Sequence, residues 1–107
     1  MQIGIVGLGR MGAGIARRLA QAGCAVICYD QADAARKALA GTPHIDCAEN
    51  LAALCARLEG ERVILLMLPA GQAVEDTIRD LLPLLSSGDT IVDGGNSYYR
   101  DSMRRAL

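Results

Sequence analysis

The feature that most constrains the fold is a stretch near the start of the chain, IGIVGLGRMGAG at positions 3–14. An apolar run leads into glycines at positions 7, 9 and 12. The following segment carries Met11, Ile15 and Leu19, which recur every fourth residue. An apolar run predicts a β-strand, and a recurrence of three to four residues predicts an amphipathic α-helix. The stretch therefore predicts a strand, a tight glycine turn and a helix.

Each glycine of this G-x-G-x-x-G pattern has its own physical role. Gly7 permits the sharp turn out of the strand, Gly9 lets the backbone approach a pyrophosphate, and Gly12 lets the helix lie close to the sheet. A helix that begins near Arg10 directs unpaired N–H groups and its positive dipole end toward the phosphates. The strand, turn and helix context makes the motif more specific than the bare glycine spacing.

An acid follows at the distance that a ribose contact requires. Asp30 comes directly after a second apolar run and about 20 residues after Gly9. A carboxylate accepts hydrogen bonds from a 2′-hydroxyl and repels a 2′-phosphate, so Asp30 favours NAD over NADP. The alternative is a solvated acid that begins a turn. Arg36 and Lys37 could favour NADP, but they fall within the next predicted helix and are interpreted as solvated charges on its outer face.

Composition excludes several classes of protein. The chain has 107 residues, which suits one domain, and 51% of them are hydrophobic, which suits a packed core. Without a run of about 20 apolar residues or a secretory signal, we expect no membrane association and a cytoplasmic location. A net charge of −1 and only three aromatic residues argue against nucleic-acid binding. Four cysteines without a C-x-x-C pair, beside a single histidine, predict free thiols and no metal site.

Strand and helix patterns alternate along the rest of the chain. Predicted strands fall at 24–29, 63–68 and 90–93, with a weak one at 44–48, and predicted helices at 33–40, 51–58 and 72–85. The last of these helices has Val74 and Ile78 inward and Asp76 and Asp80 outward. Residues 98–107 look like the opening of another helix. This alternation of strands and helices predicts an α/β fold with a doubly wound, Rossmann-like parallel sheet.

We interpret residues 1–107 as a single NAD(P)-binding domain that is incomplete at its C-terminal end. If the last strand is missing, strand 90–93 forms an open edge.

Three loops follow predicted strands, at positions 7–12, 68–71 and 94–97. In doubly wound sheets the ligand crevice lies outside the carboxyl ends of the strands, at the point where the strand order reverses. One rim of the sheet is therefore expected to carry all the candidate site residues.

At positions 93–102 the sequence reads DGGNSYYRDS, which resembles the D-G-G-N-S-x-Y-R-D segment of the 6-phosphogluconate dehydrogenases. The opening G-L-G-x-M-G is similar to that of the wider β-hydroxyacid dehydrogenase group. By this resemblance Asn96 contacts both cofactor and substrate, although Asn also suits a turn that bonds its own backbone. The resemblance implies cofactor contacts at Gly7, Leu8, Gly9, Arg10, Met11, Gly12, Leu68, Pro69, Ala70 and Asn96.

The sequence departs from the NADP-dependent pattern of this family in two places. Those enzymes have an Asn-Arg-Thr-like run where Asp30 and Gln31 stand here, and many have Lys where Pro69 stands. The departure at Asp30 and Gln31 supports NAD as the cofactor.

The resemblance implies hydride transfer from 6-phosphogluconate to NAD(P), followed by decarboxylation to ribulose 5-phosphate. The family's Lys base and Glu acid lie beyond the last residue of this chain, and Lys37 is its only lysine. We therefore expect no catalytic residue within these 107 residues, no turnover by them alone, and a homo-oligomer for the full-length protein.

Two alternatives remain open. One is a freestanding NAD-binding module with a regulatory or interaction role. The other is the cofactor domain of a different β-hydroxyacid dehydrogenase, such as one of the hydroxyisobutyrate type. The GGNS run at positions 94–97 argues against the second, since those relatives generally lack it.

Overall fold

The computed structural model describes residues 1–69 and 71–94, and the backbone of residues 103–106. The strands are β1 Gln2–Val6, β2 Ala25–Tyr29, β3 Ile45–Cys47, β4 Val63–Leu66, β5 Thr90–Asp93 and β6 Met103–Ala106. The helices are α1 Arg10–Gln21, α2 Asp33–Leu39, α3 Leu51–Arg57 and α4 Gln72–Leu81, and a 3₁₀ turn Leu82–Leu84 continues α4.

In the described part of the chain the sheet has the strand order β3-β2-β1-β4-β5-β6, and β1 to β5 are parallel. The chain moves outward from β1 to β3 and then returns to the other side of β1 for β4. The strand order therefore reverses between β1 and β4, which places the expected ligand crevice above the carboxyl ends of these two strands. This confirms the predicted doubly wound, Rossmann-like α/β fold.

The sheet is covered by helices on both faces. On one face Ile5, Val26 and Cys28 pack with Ala16 and Ala20 of α1 and with Leu39 of α2. On the other face Ile64, Leu66 and Ile91 pack with Leu54 of α3 and with Val74, Ile78 and Leu81 of α4. Burial on both faces explains why the central strands are apolar without alternation.

Local signals set the ends of two helices. Asn50 caps α3, because its side-chain oxygen accepts a hydrogen bond from the Ala53 N–H at 2.8 Å. Pro83 lies in the 3₁₀ turn that tightens the end of α4. Both features follow the sequence prediction.

The prediction for the end of the chain is wrong. Residues 103–106 form β6 rather than part of a helix, and β6 pairs antiparallel with β5, Thr90 opposite Ala106 and Asp93 opposite Met103. Strand β5 is therefore not the open edge that it would be if no strand followed it. The physical reason is that an uncovered edge strand presents a row of unpaired N–H and C=O groups, and an added strand satisfies them. The other residues of the predicted helix, 98–102 and 107, lie outside the described residues.

Two further features concern residues 1–69 and 71–94. The four cysteines are free thiols, and no group of three or more His, Cys, Asp or Glu in the described residues is placed to hold a metal ion. None of the helices described there has the length and apolar character that a membrane crossing needs.

Candidate cofactor site

The turn after β1 accepts only glycine at two of its three motif positions. Gly7 has φ +101°, and a Cβ there would collide with the Met67 carbonyl oxygen of the neighbouring β4 end. A Cβ at Gly12 would collide with the carbonyl oxygen of Gly7, so this glycine lets α1 pack closely against the turn. Both findings confirm the roles predicted for these residues.

Gly9 is different, because the space beside it is open. A Cβ built there meets no protein atom within 4 Å, and its backbone is extended, with φ −66°. The fold itself does not require glycine at this position. An open approach to the backbone is what a closely bound pyrophosphate needs, so Gly9 fits the predicted cofactor.

The first amides of α1, at the turn, have no hydrogen-bond acceptor within residues 1–69 and 71–94. Gly9 provides no side-chain cap, and the first turn of the helix contains no acidic residue. The first helical hydrogen bond is donated by the Ala13 N–H to the Gly9 oxygen at 2.8 Å, so the amides of residues 10–12 precede the bonded part of the helix. Together with the helix dipole, these amides form an anion-binding position.

Two cavities adjoin the turn, on either side of the loop that follows β4. A cavity of about 190 Å³ lies at the start of α1, and its lining residues are Gly9, Arg10, Met11, Gly12, Met67, Leu68 and Pro69. A larger cavity of about 750 Å³ lies toward the end of β2, and we call it the adenosine cavity after the ribose contact predicted for Asp30. It is lined by Val6, Gly7, Tyr29, Asp30, Gln31, Leu51, Leu68, Pro69, Ala73, Asp76, Thr77 and Asp80. Leu68 and Pro69 line both cavities.

This arrangement brings most of the predicted site residues together. The two cavities contain eight of them: Gly7, Gly9, Arg10, Met11, Gly12, Asp30, Leu68 and Pro69. Leu8 lies within the turn, but its side chain is buried in the core and its N–H is already bonded. Ala70 and Asn96 lie outside the described residues, so their roles stay predictions.

Asp30 does more than line the adenosine cavity. Its Oδ2 accepts a hydrogen bond from the Leu8 N–H at 2.7 Å, and its Oδ1 accepts one from the Ala32 N–H at 2.8 Å. The carboxylate therefore ties the end of β2 to the glycine turn. Each oxygen retains a lone pair that can accept a further hydrogen bond. This second role was missed in the sequence, because it depends on contact between residues far apart in the chain.

The interpretation of Arg36 as a solvated outer charge is wrong. Its side chain is 22% exposed and folds back onto the end of β2. There Nη1 donates to the backbone oxygen of Asp30 at 2.9 Å, and the guanidinium lies 5.8 Å from the ring centroid of Tyr29. Its Nη2 pairs with Asp33 at 3.0 Å. Lys37, at 75% exposure, is solvated as expected.

Helix α4 supplies a wall of the adenosine cavity that the sequence analysis did not predict. Asp76 and Asp80 were expected to face largely outward; Asp80 is exposed as expected, Asp76 is half-buried, and both line the cavity with Ala73 and Thr77. These residues are spaced three to four apart, so they form one stripe on the helix, beside the buried stripe. Asp76 accepts hydrogen bonds from Gln72 and from Arg79, both at 2.8 Å. The Gln72 amide, followed by the Arg79 charge, holds the pKa of Asp76 below its usual value.

Known proteins that resemble this chain support a cofactor site at the glycine turn. Residues 2–107 match the model of the NAD binding domain of 6-phosphogluconate dehydrogenase. An NAD(+)-dependent, decarboxylating 6-phosphogluconate dehydrogenase from Haloferax volcanii is 43% identical over 106 residues, which cover 99% of this chain and 35% of that protein. An NADP(+)-dependent enzyme from Bacillus subtilis is 37% identical over 113 residues, covering 97% of this chain and 23% of that protein. The chain thus spans about a third or less of these relatives.

Solved structures show the same architecture. The 6-phosphogluconate dehydrogenase of Plasmodium falciparum superposes with a TM-score of 0.81 at 26% identity, over 92% of this chain and 22% of that one. An arogenate dehydrogenase from Synechocystis superposes with a TM-score of 0.72 at 26% identity, over 85% of this chain and 31% of that one. The glycine turn, the uncapped helix and the match over residues 2–107 lead to one conclusion. This chain belongs to the family of NAD-binding domains of 6-phosphogluconate dehydrogenase, whose ligand is a dinucleotide cofactor.

Proposed function

We propose that this chain is the cofactor-binding portion of an NAD-preferring 6-phosphogluconate dehydrogenase that oxidises 6-phosphogluconate and decarboxylates the product to ribulose 5-phosphate. The observation that carries the proposal is the open glycine turn. It places the free amides of α1 beside one cavity and the carboxylate of Asp30 in the next.

The chain's own residues have distinct tasks in binding. The amides of residues 10–12 bind the pyrophosphate, and Gly9 leaves room for it. Asp30 accepts hydrogen bonds from the adenosine ribose hydroxyls through its remaining lone pairs. Leu68 and Pro69 line both cavities and would contact a bound cofactor. A bound nicotinamide would supply the hydride acceptor of the reaction. Asn96 is proposed to contact both cofactor and substrate.

Asp30 is also the basis for preferring NAD over NADP. The Arg36 guanidinium bonds the backbone oxygen of Asp30 and the carboxylate of Asp33, and no cation within residues 1–69 and 71–94 pairs with the Asp30 carboxylate itself. An uncompensated carboxylate at the ribose repels a 2′-phosphate and accepts a hydrogen bond from a 2′-hydroxyl.

The base and acid of the reaction are proposed to lie outside this chain. The only lysine, Lys37, is on α2, pairs with Asp33 at 3.0 Å and lines neither cavity. We also propose a cytoplasmic, homo-oligomeric enzyme. The free state of Cys24, Cys28, Cys47 and Cys55 supports a reducing compartment.

An activity assay of the full-length protein tests the proposal. Purified enzyme is supplied with 6-phosphogluconate or with 3-hydroxyisobutyrate, each with NAD or NADP, and both reduced nicotinamide and released CO₂ are measured. We expect CO₂ and reduced cofactor from 6-phosphogluconate, with a higher kcat/KM for NAD than for NADP. Turnover of 3-hydroxyisobutyrate alone, or NAD binding without turnover of either acid, would contradict the proposed reaction.

A further inference from the structure

The adenosine cavity is acidic on two sides. Asp30 lies at the end of β2, and Asp76 and Asp80 lie on α4, which follows β4. Strands β2 and β4 flank β1 on opposite sides, so these carboxylates face the cavity from opposite walls. The residues that line this cavity within 1–69 and 71–94 include three carboxylates and no lysine or arginine.

Two arginines bond to residues that line the cavity. Arg36 is held by Asp33 and by the backbone oxygen of Asp30, and it does not line the cavity. Arg79 pairs with Asp76 at 2.8 Å, but its side chain is 70% exposed, so water and salt screen its charge. Neither side chain offers a guanidinium to a phosphate inside the cavity.

The two carboxylates of α4 differ in their surroundings. Asp76 is oriented by Gln72 and Arg79, and its charge is partly offset. Asp80 makes no ion pair or hydrogen bond with any other residue in 1–69 and 71–94. Asp80 is therefore an exposed carboxylate on the cavity wall with no cationic partner among those residues.

We propose that Asp80, assisted by Asp76, is a specificity-determining residue that selects against a 2′-phosphate from the wall opposite Asp30. This inference rests on the proposed function, because it assigns the cavity to the adenosine end of the cofactor. NAD has a neutral 2′-hydroxyl there, whereas NADP has a phosphate with a charge of about −1.5 to −2 at neutral pH. Asp80 then weakens NADP binding by about two- to fivefold at low salt, Asp76 does so by less because Arg79 partly offsets its charge, and NAD binding is almost unchanged.

The test uses calorimetry of the full-length protein with NAD and NADP, on the wild type, Asp80→Asn, Asp80→Lys and the double variant Asp76→Asn with Asp80→Asn. The matched control is Glu75→Gln, which removes the same charge from an exposed position of α4 that does not line the cavity. We expect the ratio of the NADP to the NAD dissociation constant to fall by about two- to fivefold in Asp80→Asn, and further in the other two variants. Glu75→Gln should leave the ratio unchanged.

Salt provides an independent readout, since screening weakens repulsion between charges. Raising the ionic strength should lower the same ratio in the wild type, and less so in the double variant. An unchanged ratio in Asp80→Lys, or an equal shift in Glu75→Gln, would overturn the role of Asp80 while NAD binding still supports the proposed function. Loss of all dinucleotide binding in the wild type would instead contradict the proposed function itself.

Discussion

The two hydrogen bonds of Asp30 allow its roles in the turn and at the ribose to be separated by paired substitutions. Asp30→Ala removes the acceptors of both the Leu8 and the Ala32 N–H groups. Asp30→Asn retains one oxygen, which can still accept from Leu8, and loses the negative charge. The Asn variant therefore keeps the glycine turn tied to β2, and the Ala variant does not.

The expected magnitudes follow from the surroundings of each donor. Ala32 is exposed, so water replaces its lost acceptor at small cost, whereas Leu8 is 5% exposed and its N–H would be left without a partner. A hydrogen bond to a charged group contributes about 1.5–3 kcal/mol, which corresponds to about 10- to 150-fold in affinity if the turn must reform on binding. We expect Asp30→Asn to weaken NAD and to strengthen NADP relative to NAD. Asp30→Ala should weaken both cofactors.

Calorimetric titration of the full-length protein with NAD and with NADP measures both effects. The decisive comparison is NADP binding by the two variants, because neither has a charge at position 30. Tighter NADP binding by Asp30→Asn than by Asp30→Ala supports the bond to Leu8 as the support of the turn. Equal NADP affinities in the two variants would refute this reasoning.

Three further predictions concern the turn, a buried carboxylate and a buried thiol. Gly9→Val should fold normally, since a Cβ there meets no protein atom, yet lose dinucleotide binding; wild-type affinity by titration would exclude a phosphate at the turn. Asp89 is 2% exposed and accepts a hydrogen bond from the Arg62 N–H at 2.7 Å. Asp89→Ala should therefore lower the free energy of unfolding in urea by about 2–4 kcal/mol, and a decrease of less than about 1 kcal/mol would contradict this. Burial raises the pKa of Asp89, but hydrogen bonds from backbone N–H groups and the charge of Arg62 outweigh burial and lower this pKa below 3.8. The ionised carboxylate therefore adds to the free energy of unfolding above pH 3.8, and this contribution should fade as the pH falls through the lowered pKa. A free energy of unfolding that does not change at acid pH would count against it. Burial, then Cys47 and Asp46, raise the pKa of Cys28 to about 12, so mass spectrometry should find Cys28 unlabelled by iodoacetamide until the protein unfolds; rapid labelling of folded protein would be inconsistent.

Local sequence patterns were enough to predict the part of the site formed by the glycine turn, the helix that follows it and Asp30. The glycine spacing, the following helix period and the position of Asp30 each depend on neighbours within about 20 residues. For the same reason the Asn50 cap and the tightened turn at Pro83 could be predicted. These features depend on backbone geometry that a few residue types impose wherever they occur.

The features that were missed depend on contacts between distant segments. Arg36 was placed by its helix position, but the end of β2 and Asp33 draw its side chain inward. Asp76 and Asp80 were expected to face solvent, and Asp80 does, but no local pattern shows that α4 lies beside the switch point, where both residues line the cavity. Residues 103–106 form a strand because β5 offers an edge to pair with, which no local pattern records.

The central claim is that the turn after β1 and the start of α1 hold the cofactor's pyrophosphate. A crystal structure of the full-length protein with bound NAD tests it most directly. We expect phosphate oxygens within hydrogen-bond distance of the amides of residues 10–12, and the adenosine ribose against Asp30. A structure with NAD bound elsewhere and no phosphate at this turn would show that the turn does not bind the pyrophosphate.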